Sequence, residues 1–324
     1  MAVKVEDLRK RGTAQHEAKL LRTKLTHRGI PKVLNCRRDR ERYVVVMELL
    51  GPSIFHLVRE KRKKPSLDTL YRTMYQTIKI LQYTHRKGYV HTDIKPDNVL
   101  LGLGPHSHLV YLIDFCESRK YGPRRETEFV GNPYFSSTAV LAGGLYGPKD
   151  DLEALAYVLA YMATGKLPWM DLYDIDPVVS IEKILRYRKE NDLRAIWTDI
   201  PAIILDLAAT AQSLEVLQVP TYSAILSRLR QEASALGINL KSRETIWDLA
   251  VKPQVRRLET VVFPLGKDIE LQPDLLAQLR KAEQPLDRFD SNALTVDSVG
   301  ADSTMATIVT RKLPVMSEAL RTVL

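Results

Sequence analysis

The first 250 residues are written in two periodicities, and that asymmetry constrains the fold more than any other feature. The first fifty read as strand, helix and then two strands. Ala2-Val-Lys-Val5 sets apolar residues around one lysine, 16–25 supports a helix, and 44–49 is a nearly continuous β-branched run closed by Gly51-Pro52. Ser53 then offers an N-cap. Across 68–87, Leu70, Met74, Ile78 and Leu81 recur at helical spacing, and Gly88 supplies the stop. Two short apolar strands, 99–101 and 109–113, flank a Gly/Pro/His loop. From Asp151 onward the pattern is helical, over 152–163, 178–190, 201–217 and 221–236; in the last, Tyr222, Ile225, Leu226 and Leu229 form one face. A small strand-rich start and a large helical body give the outline of a two-lobed α+β enzyme, an outline that many other folds also fit.

Past about Leu249 the periodicity loosens, and 291–310 is rich in Ser, Thr, Asp and small residues. The expectation is a tail over 250–324, partly helical near 273–281 and mobile beyond. Its Ser291, Thr295, Ser298, Ser303, Thr304 and Thr307 lie near acidic residues and suit regulatory phosphorylation. At 45% hydrophobic and 27% charged, the chain is too apolar for global disorder. The most apolar helical run, 152–163, is interrupted by Glu153 and is short of the roughly 18 residues a membrane span needs. Cys36 and Cys116 give neither a disulfide framework nor zinc spacing, and no secretory pattern follows Met1, so a cytoplasmic setting, nuclear as well, is expected. The net charge of +9 favours acidic partners. Its densest run, Arg59-Glu-Lys-Arg-Lys-Lys64, reads as a solvated helix end; no zinc finger or RNA-binding signature accompanies it, so nucleic acid is a weak third reading.

The chemistry concentrates in His91-Thr-Asp-Ile-Lys-Pro-Asp-Asn98 and in Asp114-Phe-Cys116, whose aspartate follows Asp93 by 21 positions (114 − 93). Phosphoryl transfer from ATP needs a base to orient the hydroxyl, metal ligands, and cations on the phosphates. Asp93 suits the base and Lys95 the phosphoryl group in transfer. Asn98 and Asp114 offer the hard oxygens that Mg²⁺ prefers. The loop departs from the protein-kinase H-R-D-x-x-x-x-N pattern only at Thr92.

Further stretches resemble the casein kinase I family across residues 2–249. Met47-Glu-Leu-Leu-Gly-Pro-Ser53 is similar to its hinge, Asp150-Asp-Leu-Glu-Ala-Leu-Ala-Tyr157 to the start of its central helix, and Gly165-Lys-Leu-Pro-Trp169 to that helix's end. Val130-Gly-Asn-Pro-Tyr-Phe-Ser-Ser137 stands in the place of its substrate-side loop. The resemblance implies a bilobal protein-kinase-like fold, with a sheet lobe over 1–50 and a mainly helical lobe over 51–249. It implies a monomeric serine/threonine kinase that uses ATP and Mg²⁺ on protein substrates. ATP would meet Lys4, Met47, Glu48, Leu50, Leu100, Ile113 and Asp114, and Asp151 would brace the catalytic loop. Ala2-Val-Lys4 resembles the V-A-I-K strand, with Glu17, 13 residues on, as the ion-pair partner of Lys4. On that register the Gly-rich strands belong upstream of Lys4, so the expectation is a truncated lobe whose Met1 is an internal methionine.

Three departures stand out. Cys116 replaces the glycine of D-F-G, which matters if that position needs a left-handed backbone; a reactive thiol is the lesser reading there. Thr92 replaces the arginine that reads an activation-loop phosphate, and Thr127 is the only threonine of 117–130, which also holds Ser118 and Tyr121. Tyr134 replaces an arginine expected to bind acidic substrates, for which Lys183, Arg186, Arg188 and Lys189 are alternative cations, or else a solvated helix face. The rival to a working kinase is a pseudokinase that binds or scaffolds.

Overall fold

In the computed structural model, residues 1–247 are described except 10–11, 62–63 and 124–128. The tail with its helix and phosphorylation sites, Thr127, and the middle of the basic run therefore lie outside the described residues.

Strand β1 (Ala2–Asp7) runs antiparallel to β3 (Arg42–Met47), which pairs on its other side with β2 (Val33–Asp39), giving the order β1-β3-β2. The β-branched run Val44-Val-Val46 makes β3 the central strand, where side chains pack on both faces. Lys4 sits opposite Val45, so the period of two turns Val3 and Val5 to the outer face, where they are 54% and 42% exposed. The inner face carries helix α1 (Thr13–Thr23), packed through Ala14 and Ala18 against Val45. The helix starts three residues before the sequence pattern predicts. Its first amides, on Thr13 and Ala14, are capped by the Glu6 carboxylate at 3.1 and 2.7 Å.

Below this sheet lies a helical body. Helix α2 (Ile54–Lys61) begins under the Ser53 hydroxyl, which accepts from His56 N–H as expected. Helix α3 (Leu67–Arg86) is capped by Ser66 and followed by Gly88 at φ 82°. Next come the two-residue strands β4 (Tyr89–Val90) and β7 (Arg119–Lys120), paired with each other, and the hairpin of β5 (Val99–Leu101) with β6 (Val110–Leu112). After the short α4 (Thr138–Leu141), α5 (Pro148–Thr164) runs through the centre of the core, buried from Pro148 to Met162. It packs mainly against α8 (Ala202–Gln212) and α3; α6 (Pro177–Glu190), the single-turn α7 (Leu193–Ile196) and α9 (Tyr222–Ala235), the last packed on α3, complete the helical body. Helix α8 stops five residues short of the predicted 217, where the Ser213 and Leu214 amides turn back onto Ala209 and Ala211. Small antiparallel sheet and large helical body make this a bilobal α+β fold. Among the described residues no helix is long and apolar enough to cross a membrane.

Candidate active site

Lys4 leaves β1 on the face that meets α1. Its ammonium lies 3.0 Å from Glu17 Oε2, 2.9 Å from Asp114 Oδ1 and 2.8 Å from Cys116 Sγ. Glu17 is 1% exposed because it shares the buried stripe of α1 with Ala14, Ala18 and Leu21. Its second oxygen accepts the Phe115 N–H at 2.8 Å, so one carboxylate ties β1 to the segment after β6. Burial opposes the charge on Lys4, but Glu17, Asp114 and Cys116 outweigh it and hold the lysine well above its usual pKa. Burial likewise pushes Asp114 up, and the Lys4 charge and hydrogen bond overcome it, leaving the carboxyl below its usual range. Both groups are ionised at neutral pH.

The polar octapeptide lies between β4 and β5. Lys95 Nζ and Asn98 Nδ2 both donate to Asp93 Oδ2, at 2.7 and 3.0 Å, and Asn98 Nδ2 also reaches the Asp93 carbonyl at 2.8 Å. Asp93 Oδ1 is buried and has no hydrogen-bond partner among the described residues. An acceptor left in that state costs about 1–3 kcal/mol. Asp93 lines a small cavity with Thr92 and Ile94, closed on its far side by Asn132, Ser136 and Ser137.

Two non-glycine residues at this site have left-handed backbones, Thr92 at φ 72° and Asp114 at φ 64°. Such strain, roughly 1–3 kcal/mol each, persists only where the surroundings over-determine it. Asp151 supplies the restraint on Thr92: its oxygens accept the His91 N–H at 2.7 Å and the Thr92 N–H at 2.9 Å. It is itself held by His85 Nε2 at 2.9 Å, and His85 Nδ1 meets the Tyr222 hydroxyl at 2.7 Å. Burial opposes ionisation of Asp151; the His85 and backbone hydrogen bonds prevail and depress its pKa. The Thr92 hydroxyl donates to the Glu117 carbonyl at 3.1 Å, so this side chain links the 91–98 loop directly to the segment after Asp114. At Cys116 the sequence expectation is corrected. The positive φ falls on Asp114 and not on Cys116, so a side chain is sterically acceptable there. Burial and the neighbouring carboxylates push the Cys116 thiol far up, which opposes a reactive thiolate.

The 47–53 linker is tied to β5 by Gly51 N–H to Leu101 O at 2.8 Å and Leu101 N–H to Pro52 O at 3.1 Å. Met47, Leu50, Leu100 and Ile113 are half-buried at this junction. The Glu48 carboxylate accepts the Tyr111 hydroxyl at 3.1 Å, and its amide donates to Lys32 O at 3.0 Å. On the opposite side of Asp93, Ser137 and Thr138 are bonded to Asp150 and Glu153 of α5. Tyr134 is buried, and its carbonyl accepts Trp169 Nε1 at 2.8 Å. Of the four basic residues read as substrate-side cations or else a solvated helix face, Arg188 is instead 9% exposed and turned inward, and Lys183 pairs with Asp174 at 2.8 Å. Arg188 completes the buried stripe Ile181, Ile184, Leu185 on α6, a spacing that was visible in the sequence. His85 carries a similar signal, one turn beyond the buried Leu81 of α3. Neither it nor Tyr222 is singled out by sequence motif.

Lys4, Glu17, Asp93, Lys95, Asn98, Asp114 and Asp151, drawn from four separate stretches of chain, thus form three hydrogen-bonded groups: Lys4 with Glu17 and Asp114, Asp93 with Lys95 and Asn98, and Asp151 with the backbone of His91 and Thr92. The His91 ring meets the Ile113 carbonyl and the edge of Phe115. The sequence model of the protein kinase domain matches residues 1–228, which is more than half the chain. With its bilobal architecture, this chain belongs to the protein kinase family.

Proposed function

We propose that this protein is a serine/threonine kinase of casein kinase I type, transferring the γ-phosphate of ATP to protein hydroxyls. The observation that carries the reading is Asp93, whose Oδ2 is held by Lys95 and Asn98 while Oδ1 is buried and has no hydrogen-bond partner among the described residues. An acceptor fixed in direction and lacking a donor is what a general base for an incoming hydroxyl requires. Lysine two residues after the base supports serine and threonine as acceptors.

Protein kinase domains use ATP with Mg²⁺, which neutralises charge on the phosphoryl group in transfer. The donors fit such an ion. Asn98 commits its Nδ2 to Asp93, so its amide oxygen is the atom available to a cation, and Asp114 is kept ionised. These two residues would hold the metal. Lys4, kept charged by Glu17, would grip the α/β-phosphates, and Lys95 would offset charge beside Asp93. Met47, Glu48, Leu50, Leu100 and Ile113 are the adenine-side residues on this reading, within a sheet lobe at 1–50 and a helical lobe at 51–249.

One observation favours a second reading, a pseudokinase. The three N–H bonds of Lys4 face three acceptors, Glu17, Asp114 and Cys116, so phosphate must displace one of them. Transfer of phosphate from ATP to casein with Mg²⁺, compared between wild type and Asp93→Asn, separates the readings. Transfer that vanishes in Asp93→Asn supports the kinase. ATP-dependent thermal stabilisation with no Asp93-dependent transfer supports the pseudokinase.

A further inference from the structure

Arg188 poses an energetic problem. It is 9% exposed, no carboxylate bonds it among the described residues, and its Nε–H has no hydrogen-bond partner there. Burying a charge costs several kcal/mol, which the field of the buried Glu153 carboxylate only partly offsets, and an apolar side chain on this stripe would avoid that cost. What it does make is specific. Nη1 donates to Ser136 O at 2.7 Å and Nη2 to Tyr134 O at 3.0 Å, so the planar fork grips two carbonyls spaced i and i+2 along one loop. The guanidinium carbon lies 4.3 Å from the Tyr157 ring centre and 4.2 Å from that of Trp169, a cation–π seat that offsets part of the desolvation. Trp169 Nε1 shares the Tyr134 carbonyl from the same side. Asp150 and Glu153 hold the next two residues, Ser137 and Thr138. The loop gripped in this way supplies Asn132, Ser136 and Ser137 to the cavity that Asp93 lines.

We infer that Arg188 is a positioning residue for the protein acceptor: it fixes residues 132–138 so that a substrate chain lies with its hydroxyl at Asp93. The inference rests on the kinase reading of that cavity. It predicts a defect in acceptor binding and not in nucleotide binding, because Arg188 touches neither Lys4 nor Asp114.

The experiment uses the full chain with Arg188→Met, of similar length without donors, and Arg188→Lys, which keeps the charge without the fork. With casein as acceptor, Arg188→Met should raise KM for casein about tenfold, the worth of one charge-assisted hydrogen bond, and leave KM for ATP within about twofold. Arg188→Lys should recover only part of the loss. Amide hydrogen exchange should accelerate in 132–138 and stay unchanged in 91–98. Unchanged KM for casein with unchanged exchange overturns the inference. So does a parallel rise of both KM values with faster exchange throughout the helical body, which marks a general packing role. If wild type itself transfers no phosphate, the kinase reading fails, and exchange alone decides whether Arg188 holds the loop.

Discussion

The Thr92 amide donates to Asp151 across 2.9 Å from a backbone at φ 72°, a conformation that a β-branched residue adopts only under restraint. The bond that holds it comes from the first turn of the buried helix α5, and the same carboxylate takes His91 N–H and His85. The geometry of the 91–98 loop is therefore anchored on a buried carboxylate of the helical body.

Asp151→Asn tests that anchor. The amide keeps one acceptor oxygen but turns an NH₂ toward groups that are themselves donors. Removing a buried, fully bonded carboxylate in this way should cost about 3 kcal/mol, or roughly 6–12 °C in Tm for a body of this size. Thermal unfolding measures it; a loss under about 1 kcal/mol would show that Thr92 is held by other means.

Lys4→Met removes the ammonium from Glu17, Asp114 and Cys116 together. If Lys4 stabilises charge on the phosphates, kcat/KM should fall at least about 100-fold, the usual loss for one preorganised donor at a reacting group. Steady-state transfer from ATP measures it. Retention of transfer within about tenfold of wild type would remove Lys4 from the mechanism.

Much of this was legible because local pattern and spacing coincide. The 13-residue interval from Lys4 to Glu17 joins a strand whose period of two points Lys4 inward to a helix whose buried stripe carries Glu17. Asp93, Asn98 and Asp114 flank a hairpin whose two apolar strands were visible as runs. What escaped depends on partners far away in sequence. The Tyr222–His85–Asp151 chain and the two-residue pair β4–β7 have no local signature, and the Glu6 cap on α1, though only seven to eight residues from the amides it bonds, lies outside the N-cap position where a cap is sought. Arg188 was misread for a different reason. Its charge suggested solvent, while its place on the apolar stripe of α6 predicted burial, and packing prevailed over residue type.

The two thiols should differ in reactivity. Burial, then the charges of Glu17 and Asp114, push the Cys116 thiol far above its usual pKa, so the thiolate that attacks an alkylating agent is scarce. Cys36 lies on β2 and accepts a hydrogen bond from Arg22 at 3.2 Å, outside any acidic cluster. Brief treatment of the folded protein with a maleimide at pH 7.5 should label Cys36 first, by peptide mass spectrometry. Preferential labelling of Cys116 would restore the reactive-thiol reading.

Asp150 makes stability depend on pH with an unusual sign for a carboxylate. It is 3% exposed, and burial pushes its pKa up to about 6, although Ser137 at 2.6 Å and Gly147 N–H at 2.7 Å favour its ionised form. In the unfolded chain its pKa returns to about 3.9. A group with a raised folded pKa binds its proton more tightly in the native state. Its contribution is fully present below about pH 4 and is lost as pH rises through about 6. His27, lowered by burial and Arg28, works in the other direction on acidification, and so do Asp114 and Asp151 once pH falls below the carboxylate range. The contribution of Asp150 is therefore isolated by comparing wild type with Asp150→Asn in urea unfolding at each pH. Between pH 7.5 and 4.5 wild type should gain about 2 kcal/mol on the variant. A gap that stays constant, or closes toward acid, would mean that the hydrogen bonds from Ser137 and Gly147 outweigh burial and keep Asp150 ionised.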